Sequence, residues 1–575
     1  MRKGRETAQG VGGRRLLAGV VTLAAVAAGT VAVSTAHGRE PAGEAAVEEL
    51  KGQKPDWEPC YEPDPDEKGA FETGVQDLDL AGHGDDYARA ECATIDAPLD
   101  WSDPSGERAT LAISRLKAGD AEKAGKKGVF YNPGGPGIAG RVKAVKNWVE
   151  ADSTGVPDNM DIVGFDPRGT GASTPTVKCG DQFGYSPLLK DSNLDMRDLA
   201  SPDATKKKSA QDAYRKSYEQ FAQACKDNTE GLQYVTTQQT IRDIDLIRAV
   251  LGYEQINWLG YSAGTAMGAY YAAAFPNRVG RFVLDSVVDP RGTWAPETAV
   301  DPDAGKSAQA SLGNLAADLA ETDVAADGEG NGNGNGNGDS GLGTTKEQVL
   351  KTYEAVRETL PRKVGGTDLS KYKFDEVIRQ AMYSDTKHEN LAKLWLGLRE
   401  AARNGTPAVD DATADAYEAL DPYFTFTGAE SAIRCQDAQW ARQTEDGAPV
   451  VDRALQVAEQ NAVKYPYAGW KTLKPCMFWD APQGEALPDV AKAELPGMLL
   501  VNSKEDHATS LGSAKGALEK LQGSRLLTVD GGNHSVYLSG NACVDEKVEA
   551  FLLDGRLPEE GTNCPEGNSS ATDGS

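Results

Sequence analysis

A mostly parallel, doubly wound α/β sheet interrupted by a large helical insertion is the architecture this sequence predicts, and three observations predict it. From Cys92 onward short apolar runs alternate with stretches of helical periodicity, the texture that builds a parallel sheet. Between about residues 291 and 490 the apolar runs stop and helical patterns such as EQVLKTYEAV and HENLAKLWLGLREAARNG take over. A Gly-Tyr-Ser-Ala-Gly sequence at 260–264 falls between the run INWL and the helical stretch GTAMGAYYAAAF, a strand, a turn and a helix in succession.

The elements follow in order. Arg2, Lys3, Arg5, Arg14 and Arg15 precede the apolar run LLAGVVTLAAVAAGTVAV (16–33), and Ser34 and Ala36 are small. This pattern predicts a signal peptide over 1–36, with an uncleaved anchor helix as the rival reading. Residues 37–90 are rich in Pro, Gly and Asp and read as an irregular arm. The first part of the core spans 91–290, with runs at 111–116, 128–131, 160–165, 256–260 and 281–288. Thr240 to Leu251 fits a helix between them, since Ile241, Ile244, Ile247 and Leu251 share one face. The helical segment 291–490 reads as a cap, and its Gly/Asn tract at 328–341 cannot bury a core and reads as a disordered loop. The core resumes over 491–565 with GMLLVN (497–502) and RLLTV (525–529), and 566–575 reads as a disordered tail.

Composition narrows the function. The chain has 575 residues, 39% hydrophobic and 26% charged, which suits a globular protein with more than one core. A formal net charge of -27 argues against nucleic acid or an anionic membrane as partner. The eight cysteines are even in number and none sits in a CxxC pattern, so disulfides in an oxidising compartment are expected. Sequential pairing, 60–92, 179–225, 435–476 and 543–564, is the simplest connectivity. Secretion or attachment to the cell envelope follows. No HExxH or Walker pattern occurs, and no GxGxxG follows a strand, so no metal or organic cofactor is implied.

The strand–turn–helix context gives the GxSxG motif its meaning. A sharp turn pushes the Ser262 hydroxyl out above the sheet, and the next amide, Ala263 N–H, points at a developing oxyanion. A serine hydroxyl needs a base, and the chain holds five histidines: His37, His83, His388, His507 and His534. The α/β-hydrolase fold orders its triad serine, acid, histidine, which removes His37 and His83. His388 lies in the cap pattern. His534, in DGGNHS after RLLTV, occupies a loop at the carboxyl edge of the sheet, where functional groups collect. Asp506, on the loop one strand earlier, is the natural acid, with adjacent Glu505 as its rival and His507 as a bystander. The loop Asn132-Pro133-Gly134-Gly135-Pro136-Gly137 follows an earlier strand and offers the second oxyanion donor, at Gly135.

NPGGPG, then FDPRGTGAS (165–173), GYSAGT, EDHAT (505–509) and GGNH (531–534) together resemble the proline-iminopeptidase-like α/β-hydrolases, most nearly the secreted tripeptidyl aminopeptidases of actinobacteria. ECATIDAPLDWSDP (91–104), FPNRVGRFVLDSVVDP (275–290) and AIRCQD (432–437) extend the likeness over roughly 55–565. Pro133 and Ala263 stand where prolyl iminopeptidases carry His and Trp, which points away from proline specificity. The resemblance favours Asp506 over Glu505. It also implies a peptidase that releases short peptides, tripeptides among them, from free N-termini. Such an enzyme must bind the terminal ammonium, and Glu430 and Asp437, flanking Cys435 in the cap, are the candidate carboxylates. Two rival functions remain: an exported esterase or amidase of the same fold, and a catalytically silent envelope-binding protein.

Overall fold

The computed structural model describes residues 42–60, 80–120, 127–151, 155–180, 195–290, 305–322, 341–420, 428–438, 440, 443, 449–467, 473–480 and 484–567. The expected signal segment, the Gly/Asn tract up to residue 340, and the tail from 568 lie outside the described residues. Among the described residues no helix is long and apolar enough to cross a membrane.

The strands in chain order are β1 (Glu58–Pro59), β2 (Ala90–Pro98), β3 (Arg108–Leu116), β4 (Gly128–Asn132), β5 (Asp161–Phe165), β6 (Ile256–Tyr261), β7 (Val279–Asp285), β8 (Arg362–Val364), β9 (Thr367–Leu369), β10 (Leu499–Ser503), β11 (Arg525–Val529) and β12 (Asn563–Cys564). Ten of them form one sheet in the order β1-β2-β3-β5-β4-β6-β7-β10-β11-β12, while β8 and β9 make a separate hairpin. Pairing is antiparallel from β1 through β3 to β5 and parallel from β5 to β12. All seven apolar runs picked from the sequence are strands of this sheet.

Side chains alternate across the sheet. Trp258, Phe282 and Leu500 pack on one face with the helix Thr237–Val250, and Leu259, Val283 and Val501 pack on the other with the helices Arg141–Val149 and Ala542–Asp554. A strand buried on both faces is what near-continuous Val, Ile and Leu runs encode. The chain leaves β4 for β5 on one side and returns to β6 on the other, so β4 is a topological switch point, where crevices open at the carboxyl ends of strands.

The insertion between β7 and β10 is helical, with helices at Lys306–Glu321, Lys346–Arg357, Lys371–Ala381, His388–Arg403, Gly428–Asp437 and Val450–Lys464. It does not stand alone. The helix Ala204–Asn228, which the sequence assigned to the sheet domain, shares a core with the insertion: Tyr214, Phe221 and Cys225 pack with Ile433, Leu455 and Trp479. Two separate excursions of the chain therefore build the lobe above the sheet. The segment 37–90 also departs from the expected irregular arm. It carries a helix at Ala42–Lys51 whose Leu50 enters the main core, and β1 pairs with β2. Four disulfides join Cys60–Cys92, Cys179–Cys225, Cys435–Cys476 and Cys543–Cys564, the sequential pairing.

Candidate active site

Loops from β4, β6, β7, β10 and β11 meet at one edge. Register aligns their ends, Asn132 with Gly260, Tyr261 with Asp285, Asp285 with Val501, and Ser503 with Val529. Ser262 follows β6 directly and caps the helix Ala263–Ala274 with φ 52° and ψ -123°. A non-glycine residue rarely adopts that conformation, so the turn is held by its surroundings. Its amide donates to the Asp285 carbonyl at 2.9 Å, and its carbonyl accepts from Thr265 N at 2.9 Å. The helix that follows is apolar on all sides and buried, which fixes the turn from below.

The Asn132–Gly137 loop lies directly against this turn. A Cβ on Gly134 (φ +90°) would come within 2.4 Å of the Tyr261 carbonyl and 3.0 Å of Ser262 Cβ, so only glycine allows the approach. Buried Asn132 shapes the loop by accepting Gly134 N at 3.0 Å. Gly135 lies one residue further on, and its carbonyl accepts from the Arg434 guanidinium in the lobe.

His534 and Asp506 are brought together. His534 Nδ1 donates to Asp506 Oδ2 at 2.8 Å, which leaves Nε2 as the acceptor of the ring. Asp506 is buried and also receives Ala508 N, Thr509 N and Thr509 Oγ1 at 2.8, 2.9 and 2.7 Å. Burial alone would raise its pKa, but the His534 charge and these bonds hold it below the usual carboxylate range. Burial likewise opposes charge on His534, yet Asp506 and then Asp285 outweigh it and keep the imidazole above its ordinary value. Glu505 is exposed and makes no such bond; its amide donates to the Gly531 carbonyl at 3.0 Å. His507 packs edge-on to Tyr383, ring centroids 4.5 Å apart, and its charge also acts to lower the Asp506 pKa.

The lobe covers the same edge. A Cβ on Gly137 would lie 2.7 Å from Glu430 N, which places the start of the helix Gly428–Asp437 on the β4 loop. Glu430 is buried, and Arg434 Nε donates to it at 2.8 Å. Burial pushes the Glu430 carboxyl up to about 7 against the pull of Arg434, Arg379 and Lys474. Burial and Arg434 push Lys474 down to about 8. Asp437 has another partner: its Oδ1 accepts Thr237 N at 3.0 Å, so it caps the helix Thr237–Val250. Of the two carboxylates singled out from the sequence, Glu430 lies at the loop and Asp437 is occupied as a cap.

The site also contains residues that sequence reasoning passed over. Tyr383, from the lobe, accepts His534 N on its carbonyl at 3.0 Å and sets its ring edge-on to the imidazole at 5.1 Å. Asp385 N donates to Asn533 Oδ1 at 2.9 Å, so the lobe grips the histidine loop at two points. No motif marks these positions. Asp285 carried a faint signal, an acid at the end of the apolar run RFVLD. Among the described residues no group of three or more His, Cys, Asp or Glu side chains is placed to hold a metal ion.

The sheet, the elbow carrying Ser262 and the histidine–carboxylate pair on later loops define a hydrolase of the α/β type. Residues 129–329 match the family described as alpha/beta hydrolase fold, and residues 463–564 match the family described as TAP-like protein. The carboxylesterase B of Mycobacterium tuberculosis is 30% identical over 486 residues, covering 83% of this chain and 86% of that one. The tripeptidyl aminopeptidase of Streptomyces lividans is 28% identical over 488 residues, 82% and 83% of the two chains. The serine protease Hip1 of Mycobacterium tuberculosis is 28% identical over 544 residues, 91% and 93%. This chain belongs to the α/β-hydrolases, with a C-terminal segment of the TAP-like type, and it is similar to carboxylesterase B and to the tripeptidyl aminopeptidases.

Proposed function

We propose that this protein is an exported serine exopeptidase that releases short peptides, tripeptides above all, from free N-termini. The observation that carries the reading is the 2.8 Å bond from His534 Nδ1 to buried Asp506, on loops that flank the Ser262 turn. Ser262 Oγ attacks the scissile carbonyl while His534 Nε2 takes its proton. The amides of Ala263 and Gly135 stabilise the oxyanion, and the leaving amine departs with the proton from His534. Water, activated by the same imidazole, then hydrolyses the acyl-enzyme. Asp506 fixes the tautomer and stabilises the imidazolium.

Glu430 is the carboxylate that receives the substrate ammonium, because it lies against the β4 loop where the peptide must pass. The lobe closing over that edge limits entry to chain ends. Four disulfides support an oxidising destination, and amino-terminal sequencing of the protein recovered from culture supernatant tests export and cleavage of the signal segment.

The decisive experiment is a mass readout of products from an unblocked peptide ladder. Release of tripeptides is expected, and release of single residues or of internal fragments rejects the assignment. The esterase reading draws support from the carboxylesterase B relative. Turnover of a tripeptide anilide against a short acyl ester, with and without N-acetylation, separates the two, since a blocked amine must slow an aminopeptidase.

A further inference from the structure

One residue joins the serine turn to the histidine loop. Asp285 ends β7 with 0% of its surface exposed. Its backbone carbonyl accepts Ser262 N at 2.9 Å. Its Oδ2 accepts Val536 N at 2.9 Å and Tyr537 N at 2.7 Å. The hydroxyl of the next residue, Ser286, accepts Ser535 N at 2.8 Å and lies 3.3 Å from Asp285 Oδ1. The three amides that follow His534 in the chain therefore all end on Asp285 and Ser286. Ser286 and Ser535 hold φ of 58° and 71°, a left-handed conformation that serine adopts only when bonds such as these enforce it. Tyr261 closes the same circuit by donating its hydroxyl to the Tyr537 carbonyl at 2.7 Å.

The charge of Asp285 also has a direction. Burial pushes its carboxyl up to about 7 and the nearby Asp506 charge adds to that push, while the two amides and the His534 charge pull it down. Facing His534 are Asp506 from the β10 loop, Asp285 from β7 and the ring of Tyr383 from the lobe. Facing Asp285 is Tyr261 from β6, itself influenced by Tyr131, Tyr537 and Asp545. Burial above all holds the Tyr261 phenol well above its usual value, so it stays neutral in the working range.

We propose that Asp285 is a positioning residue of the reaction, fixing the His534 loop against the Ser262 turn and placing a second negative charge behind the imidazolium. This rests on the serine-hydrolase reading above. It differs from a purely structural role because a hydrogen-bonding bolt would hold the loop without moving the titration of His534.

The test is the rate at which a fluorophosphonate labels Ser262, measured against pH on the full, oxidised chain. If the wild-type protein takes no label, the serine-hydrolase reading itself fails. With wild-type labelling in hand, Asp285→Asn keeps the acceptor oxygen and removes the charge. Its plateau rate is expected to fall roughly tenfold, within the range seen when reacting groups are slightly misplaced, and its acid limb to move to lower pH. A limb that stays at the wild-type position overturns the proposal. If the Asn variant does not fold by circular dichroism, Ser286→Ala serves instead, removing the Ser535 bond and leaving the charge. Its rate must fall with the limb in place, and an unchanged rate overturns the proposal as well.

Discussion

His534 Nδ1 lies 2.8 Å from Asp506 Oδ2, although the two residues sit 28 positions apart on loops of different strands. Thr509 Oγ1 donates to the same carboxylate oxygen at 2.7 Å and lies 3.4 Å from His534 Nδ1. The imidazole is therefore tied at Nδ1, which leaves Nε2 as the acceptor of the ring. Substituting Asp506→Asn, which reverses the hydrogen-bond polarity at Nδ1, is expected to lower kcat by about 10⁴-fold. Glu505→Gln, at an exposed neighbour, should change kcat by less than a factor of about three. Steady-state kinetics on a tripeptide anilide checks both, and equal losses at the two positions would return the acid to question.

The pH profile follows from the same pair. Burial disfavours the charged imidazole, but Asp506 and Asp285 outweigh burial and raise the His534 pKa. A general base works only when neutral, so kcat/KM is expected to rise with pH through a value above the ordinary histidine value of about 6.5. A limb centred below that ordinary value would show that the two carboxylates do not act on the ring.

Stability carries the same signs. The raised His534 pKa contributes stability that is complete below the unfolded value and is lost as pH rises through the folded one. The lowered Asp506 pKa contributes above its unfolded value and is lost as pH falls through the folded one. The pair therefore stabilises most between about pH 4 and 6.5, the two unfolded values. The urea midpoint of His534→Gln should fall furthest below wild type in that window and approach it at higher pH.

Glu430 gives a prediction about binding rather than chemistry. Its carboxyl is pushed up to about 7 by burial, and it must be ionised to hold an ammonium group. KM for an unblocked peptide should therefore drop as pH rises through about 7. Glu430→Gln should raise that KM by about 10²-fold while leaving hydrolysis of a small acyl ester within a few-fold, because a buried charge partner is lost only for the amine substrate. A KM for the unblocked peptide that is unchanged in the variant would move the ammonium site elsewhere.

The Cys435–Cys476 bridge holds the Glu430 helix to the turn Pro475–Phe478, next to Lys474. It closes a loop with a sequence separation of 41. Replacing both cysteines with serine should destabilise the lobe by roughly 4 kcal/mol in the chain-entropy view. Differential scanning calorimetry should show the loss, and KM for peptides should rise more than kcat falls.

Much of the fold was legible because parallel strands buried on both faces write themselves as apolar runs. β4, β5, β6, β7, β10 and β11 could be placed that way. The edges could not. β2 mixes buried and exposed positions in AECATIDAP, and two-residue β12 is anchored by the Cys543–Cys564 bridge rather than by an apolar run of its own. The helix Ala204–Asn228 lies within the range read as the sheet domain yet packs with the insertion, because position along the chain does not say what a helix packs against.

The Ser262 turn could be found in the sequence because a sharp strand-to-helix turn leaves local glycines. His534 emerged because few histidines were present and chain order removed two of them. Between Glu505 and Asp506 the residues by themselves left the acid open, since neighbours on a loop differ only in where their side chains end. Packing tells them apart, burying Asp506 against Thr509 and His534 and leaving Glu505 in solvent. Tyr383 belongs wholly to the tertiary structure, reaching the histidine from the lobe, and Asp285, marked in the sequence only as an acid closing an apolar run, takes its contacts from amides more than 250 positions away. Sequence determines what each short segment must do for itself, while contacts between distant segments exist only once the sheet has set its register and brought its loops to one edge.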